Sequence, residues 1–256
     1  MPDICGTLKE QPDKIKEKRM EKERLNKYLA ACGICSRREA DRLTEKGRVL
    51  VNGKKAENGM LVDDSDEISV NGRTVSGKND KVVLAYYKPA GVTCTEKDRF
   101  AEKTIANQVK YPVRVTYAGR LDKDSEGLML LTNDGDLIHA MMQGSAGHEK
   151  EYTVRVNGEV TDEFVEKMQA GVYLRELAVT TRPCKIRKTG KTTFQIILTQ
   201  GVNRQIKRMV KELGYRTLFI KRVRVVNIQL GSLRPGQFRP LTEWERQELY
   251  RSVNLL

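Results

Sequence analysis

The stretch Gly127-Leu128-Met129-Leu130-Leu131-Thr132 carries no charge and sets four large aliphatic side chains in a row. A short apolar run of this kind, bounded by turn residues, reads as a strand buried on both faces. A chain that contains one has to build a sheet to either side of it. Directly upstream, Asp122, Asp124 and Glu126 alternate with Arg120 and Lys123. Loops that feed a rigid strand are favoured places for chemically active side chains. On spacing alone, a solvated turn whose charges neutralise one another is the competing reading.

With 256 residues, 39% of them hydrophobic, the chain can bury one large domain or a small one plus a medium one. The net charge of +13 and the pI of 9.5 point to a polyanionic partner, nucleic acid first and an anionic membrane surface second. No apolar run approaches the length of a membrane span, and the polar N-terminus shows no secretory signal, so a cytoplasmic location is expected. Cys5, Cys32, Cys35, Cys94 and Cys184 are odd in number, which argues against a disulfide framework. The Cys32–Cys35 spacing has no second pair, and only His139 and His148 are present, so no metal site is expected.

Residues 1–22 are rich in Lys and Glu and read as a flexible lead-in. A compact module is expected over 23–76. Its first helix places Leu25, Tyr28 and Leu29 on one face, and Gly33 ends it. Ser36-Arg37-Arg38-Glu39 forms a capping box that opens a second helix running to about Lys46. Asn52-Gly53 and Asn71-Gly72 mark tight hairpin turns. Arg37, Arg38 and Arg42 load the second helix with positive charge, and Arg37 and Arg38 sit in its first turn, where free backbone N–H groups can also meet phosphates.

Residues 77–80 are polar and mark a boundary, so a second domain is expected over 80–256. It opens with a strand at Val82–Tyr87 and a sharp turn at Pro89 and Gly91. A helix capped by Asp134 or Asp136 reaches about Met142, an alternating strand covers Lys150–Val156, and a helix starts at Thr161. Strands near Val179–Arg187 and Phe194–Thr199 bracket Thr189-Gly190-Lys191. Asn203 is a good N-cap for a helix stopped by Gly214, with Ile206, Met209, Val210 and Leu213 on its apolar face. From Gln200 to Arg224, Arg204, Lys207, Arg208, Lys211, Arg216, Lys221, Arg222 and Arg224 face one acid, Glu212. Residues 231–240 read as a loop, and Thr242-Glu243-Trp244-Glu245 as a capping box for a last helix.

Three of these motifs carry a resemblance. Gly119-Arg120-Leu121-Asp122-Lys123-Asp124-Ser125-Glu126-Gly127-Leu128 resembles the signature loop of the RNA pseudouridine synthases, in the branch that includes the RsuA, RluB, RluE and RluF types. Lys150-Glu151-Tyr152 is similar to that family's Lys-x-Tyr motif, and Asn203-Arg204-Gln205-Ile206-Lys207-Arg208-Met209 to its third motif, with Lys207 where Arg is usual. The N-terminal module resembles the S4-type RNA-binding domain. The fold class implied is α+β: a small S4-like module followed by a catalytic domain on a mixed, mainly antiparallel sheet.

The resemblance further implies that Asp122 is the nucleophile, that Tyr152 stacks on the target base and that Leu198 lies beneath it. Arg204 or Lys207 is the implied basic partner of Asp122. The RNA-binding set is Arg120, Leu121, Lys123, Leu198, Asn203, Gln205, Ile206 and Arg208, joined by Arg37, Arg38 and Arg42. Asp124 and Glu126 are assigned to loop structure. No cofactor is implied, because turning a uridine into its carbon-linked isomer oxidises and hydrolyses nothing. The implied partner is structured ribosomal RNA, with a tRNA as a second class suggested by likeness to the RluF type, and the chain is expected to act as a monomer.

Two other functions fit parts of the sequence. Asp122, Asp124 and Glu126 are spaced as Mg²⁺ ligands of a nuclease, although Arg120 and Lys123 between them oppose a dication. A non-enzymatic RNA-binding protein built on the S4-like module is the other, and it leaves the three downstream motifs without a purpose.

Overall fold

A computed structural model describes residues 22–95, 104–143 and 147–256. Apart from Lys22, the expected lead-in lies outside the described residues.

Leu25–Ala31 (α1) and Arg37–Glu45 (α2) pack together, separated by Gly33 at φ +77°. Ser36 Oγ accepts the Glu39 N–H at 3.3 Å, so the predicted cap starts α2. Val49–Val51 (β1) turns through Asn52 and Gly53 into Lys54–Lys55 (β2), and Ile68–Val70 (β3) through Asn71 and Gly72 into Arg73–Thr74 (β4). All four turn residues have positive φ, as a tight hairpin of the primed type requires. The strands pair in the order β2-β1-β3-β4. Leu25, Leu29, Val49, Val62 and Ile68 close the core beneath them. Cys32 is part of that core, and burial pushes its thiol up to about 11, the behaviour of a packed thiol.

The larger unit is one mixed sheet with helices on both faces. Its chain order is Val83–Lys88 (β5), Glu126–Thr132 (β6), Gly135–Met142 (α3), Lys150–Val156 (β7), Asp162–Ala170 (α4), Lys185–Gly190 (β8), Thr193–Leu198 (β9), Gln205–Glu212 (α5), Thr217–Val225 (β10), Phe238–Pro240 (β11) and Glu243–Ser252 (α6). The order across the sheet is β8-β9-β7-β10-β6-β5-β11. Among these pairings only β10 with β6 is parallel.

The apolar run in β6 is explained by its position. Leu128 and Leu130 pack with Leu137 and Met141 of α3 and Leu249 and Tyr250 of α6. Met129 and Leu131 face the other way, toward Leu84, Tyr86, Ile105 and Leu121. Each of the four is fully buried, worth roughly 1.5–3 kcal/mol apiece. In β7, β9 and the first half of β10 one face is buried: Val154, Val156, Phe194, Ile196, Leu198 and Ile220 lie under α4 and α5, while Val225 at the end of β10 joins the cluster around α3 and α6. These strands accordingly alternate in sequence. Asn79 N–H to Ala31 O at 3.2 Å ties the connecting segment to α1, and Lys27 to Asp136 at 2.8 Å links the two units. No helix among the described residues is long and apolar enough to cross a membrane.

Three expectations shift. The strand expected over Val179–Arg187 is two pieces: Val179–Thr180 pairs with Tyr173–Leu174, and β8 begins only at Lys185, past Pro183, whose missing N–H cannot extend a ladder. The turn joining β8 to β9 falls on Lys191 and Thr192, with Gly190 still in the strand. The segment 231–240 is not all loop, because Phe238, Arg239 and Pro240 pair with Tyr86, Ala85 and Leu84 as the edge strand β11.

Candidate active site

The loop bearing Asp122 is held from beneath by a lysine. At the end of β5, Pro89 and Gly91 turn the chain sharply, Gly91 at φ +86°. Lys88 is fully buried, and its Nζ donates to the carbonyls of Pro89 at 2.9 Å, Lys123 at 3.2 Å and Ser125 at 2.7 Å. Burial holds the Lys88 ammonium below its ordinary pKa, opposed by the charges of Asp124 and Asp122. Gly91 N–H adds a bond to the Lys123 carbonyl at 2.7 Å. From the other side, Arg222 of β10, 2% exposed, donates from Nε to Leu128 O at 2.7 Å and from Nη1 to Arg120 O at 3.4 Å. Carbonyl acceptors bound to cations form the stronger class of hydrogen bond. The loop is therefore a clamped segment and not a solvated turn.

Asp122 stands on this loop with its side chain about one-third exposed, and Lys207 Nζ of α5 lies 3.0 Å from its Oδ2. The same ammonium also bonds Asp124 Oδ1. Burial alone would raise the Asp124 carboxyl, but the Lys207 hydrogen bond and charge outweigh it and hold the group below its ordinary value. Glu126 points elsewhere, accepting the Tyr87 hydroxyl hydrogen. The three carboxylates thus do not converge, and a lysine occupies the space between two of them. This geometry contradicts the nuclease alternative.

A cleft of about 440 Å³ opens beside Asp122. Tyr152 of β7, Leu198 of β9, Ile206 of α5 and Ile220 of β10 supply its apolar wall. Among the described residues its lining carries Arg120, Lys123, Lys150, Arg204, Lys207 and Arg222 against one acid, Asp122. Leu121 is 8% exposed and forms part of the floor. The structure therefore brings together Asp122, Tyr152, Leu198, Arg204 and Lys207 as the motifs suggested. Between the two basic candidates, Lys207 and not Arg204 makes the ion pair with Asp122.

Other sequence-predicted residues behave differently. Asn203 does not cap α5. Arg204 occupies that position in the left-handed region, φ +51°, a strained conformation for a residue with a Cβ. Instead the side chain of Gln205 secures the turn: its Oε1 accepts the Val202 N–H at 3.2 Å and its Nε2 meets Met209 Sδ at 3.8 Å. Gln205 also lines the cleft, but it is 5% exposed and its side-chain bonds run within the turn and helix. Arg208 lies outside the cleft lining, ion-paired with Glu176 and bonded to Asn203 O at 3.0 Å. Arg37, Arg38 and Arg42 are exposed on α2, in the other unit. Lys88, Lys150 and Arg222 were missed as site residues. Lys88 directly precedes the turn read at Pro89 and Gly91, but nothing in its local pattern shows that its ammonium is buried.

Comparison with known proteins agrees with this architecture. The family described as RNA pseudouridylate synthase matches residues 82–212, and the S4 domain matches residues 23–68. The dual-specificity RNA pseudouridine synthase RluF of Salmonella typhi is 42% identical over 232 residues, covering 90% of this chain and 79% of that protein. The ribosomal large subunit pseudouridine synthase B of Bacillus subtilis is 35% identical, covering 89% of this chain and 95% of that one. A solved structure, described as a crystal structure of pseudouridylate synthase, superposes with a TM-score of 0.65 at 28% identity, covering 88% of this chain and 99% of its own. With an S4 domain ahead of that catalytic sheet, the chain belongs to the RNA pseudouridine synthase family.

Proposed function

We propose that the protein converts a particular uridine in structured ribosomal RNA to pseudouridine, with Asp122 acting on the ribose. The observation that carries this reading is the Lys207–Asp122 ion pair at 3.0 Å on the wall of a cleft that also holds Tyr152 and Leu198. A base within folded RNA is out of reach of a cleft residue. It must be extruded, at a cost on the order of a few kcal/mol. Tyr152 stacks on the extruded uracil, Leu198 supports it, and Lys207 holds the Asp122 carboxylate in place for either attack at C1′ or removal of the C2′ proton. Cationic groups at the cleft rim, Arg120, Lys123 and Arg204, contact the flanking phosphates.

The division of labour follows the two units: residues 23–76 hold RNA as an S4-like module through Arg37, Arg38 and Arg42, and residues 80–256 carry the chemistry, as a monomer in the cytoplasm. Ribosomal RNA of the large subunit, and a tRNA beside it, are the substrate classes favoured by likeness to proteins named as a dual-specificity synthase and as a large-subunit synthase. Mapping pseudouridine in ribosomal RNA and tRNA with and without the protein tests this. A position that gains pseudouridine only with the protein is expected, and an unchanged map in both RNA classes would overturn the reading.

A further inference from the structure

Lys150 and Tyr152 stand two residues apart on β7 and so project from one face of the sheet. Arg222 is the cross-strand neighbour of Tyr152, and Leu198 that of Lys150. All four side chains line the cleft. The platform on which a uracil would stack is thus flanked by two cations. Arg222 is 2% exposed. Burial, reinforced by the Arg222 charge, holds the Lys150 ammonium below its ordinary pKa. Their hydrogen bonds run to carbonyls, Lys150 Nζ to His148 O at 3.2 Å and Arg222 to Leu128 and Arg120. Among the described residues neither makes an ion pair, and the nearby Asp122 is already taken by Lys207. A buried cation and a half-buried one beside it, without a counterion, destabilise a fold. A cleft that retains them is arranged for negative charge that arrives during the reaction.

We propose that Lys150 and Arg222 form an anion-accepting subsite for the uracil ring itself, receiving the charge that develops on its carbonyl oxygens as the N1–C1′ bond breaks. This rests on the isomerisation reading above. When that bond cleaves, its electron pair leaves with the base and spreads over N1, O2 and O4. The ribose is left either bonded to Asp122 through C1′ or, with its C2′ proton on Asp122, as a C1′–C2′ alkene. The base then turns and C5 bonds to C1′, as the Asp122–C1′ bond breaks or, on the alkene route, as Asp122 returns its proton to C2′; the C5 proton is then lost and N1 gains one, so atoms and electrons balance with no co-reactant. Cations fixed beside the platform favour the separated base over the intact nucleoside, which is differential stabilisation and not tighter binding.

The test uses the full chain and an RNA that it modifies, under single-turnover conditions with protein in excess. Lys150→Met is expected to slow isomerisation by about 10²-fold or more, with RNA Kd unchanged and Tm equal or raised, since a desolvated charge has gone. Arg222→Lys keeps the charge, loses the Leu128 bond and is expected to slow less than Lys150→Met. Placing 5-fluorouridine at the target, whose fluorine stabilises the departing anion but leaves no C5 proton to lose, and following loss of the starting nucleoside for both substrates, should shrink the variant's deficit. If instead the saturated rate holds while affinity and its salt dependence fall, the pair grips a backbone phosphate and the proposal is overturned. Equal deficits on uridine and 5-fluorouridine with a lowered Tm, or no deficit, overturn it too. Wild-type protein inert on every RNA would sink the isomerisation reading, a result distinct from a silent Lys150 variant.

Discussion

One ammonium, Lys207 Nζ, joins the helix that begins after Arg204 to the loop that enters β6, lying 3.0 Å from Asp122 Oδ2 and bonding Asp124 as well. If Asp122 performs the chemistry, its removal must separate catalysis from binding. Asp122→Asn keeps the size of the side chain and an acceptor for Lys207. The variant is expected to fold and bind RNA near normally while isomerisation is abolished. Turnover within an order of magnitude of wild type would rule Asp122 out as the reacting group. Lys207→Met is expected to lose about 10²-fold in rate by releasing the carboxylate, with Lys207→Arg recovering most of it.

The charge excess makes a second prediction. Arg37 and Arg38 are exposed in the first turn of α2, away from the cleft. Phosphate contacts release counterions, so log affinity falls linearly with log salt. Each of Arg37→Ala and Arg38→Ala should weaken RNA binding across sequences and reduce the magnitude of that slope by about 1. A wild-type affinity that barely responds to salt would remove the basic surfaces from the binding site.

Asp134 connects the sheet, α3 and α6, and it predicts a pH dependence. It is 2% exposed, caps α3 through the N–H groups of Asp136 at 3.0 Å and Leu137 at 3.4 Å, accepts the Tyr250 hydroxyl at 2.7 Å and pairs with Lys81 at 2.9 Å. Burial would raise its carboxyl, but the Tyr250 and Lys81 hydrogen bonds, the Lys81 charge and the Leu137 N–H outweigh that and hold it below 3.8. A depressed folded pKa means that the unfolded chain binds the extra proton first as pH falls. The stabilisation is complete above 3.8 and disappears as pH drops through the folded value. Asp134→Asn should cost about 2 kcal/mol at neutral pH and flatten part of the acid decline. Asp124, Glu149 and Glu245 are depressed too and maintain the rest. Urea midpoints measured from pH 7 downward check this, and parallel curves for wild type and variant would exclude Asp134 as a contributor.

How much of this was legible in the chain depends on the range of the interaction. Asn52-Gly53 and Asn71-Gly72 encode their turns within two residues, and both hairpins formed where read. The apolar run of β6 implied burial on both faces, and two separate clusters supply it. Asp122, Tyr152 and Lys207 were marked by motif, and the fold gathers them. Arg222 was unreadable: in sequence it is one base among eight between Gln200 and Arg224, and only the parallel pairing of β10 with β6 carries it against the Asp122 loop. Asn203 failed as a cap for a related reason. Local preference favoured it, but the buried Gln205 side chain fixed the turn one residue later.

That parallel pairing also sets the sharpest stability prediction. Gly127 pairs with Arg222 and sits at φ +109°, a backbone conformation that side-chain-bearing residues rarely adopt. A Cβ built there would lie 2.2 Å from the Arg222 carbonyl oxygen and 2.6 Å from its nitrogen. Both are backbone atoms in the middle of a sheet, so no side chain can swing aside to make room. Gly127→Ala must therefore push β10 from β6, which withdraws the Arg222 guanidinium from the Arg120 and Leu128 carbonyls and loosens the loop that presents Asp122. The expected cost is about 4 kcal/mol or more, at the severe end for a single substitution, read as a fall in Tm or as loss of soluble protein. Gly53→Ala, where nothing lies within 4 Å of the added methyl although φ is +76°, bears only the local backbone strain, about 1 kcal/mol. If the two variants melted together, close approach of β6 and β10 would not be what requires glycine at position 127.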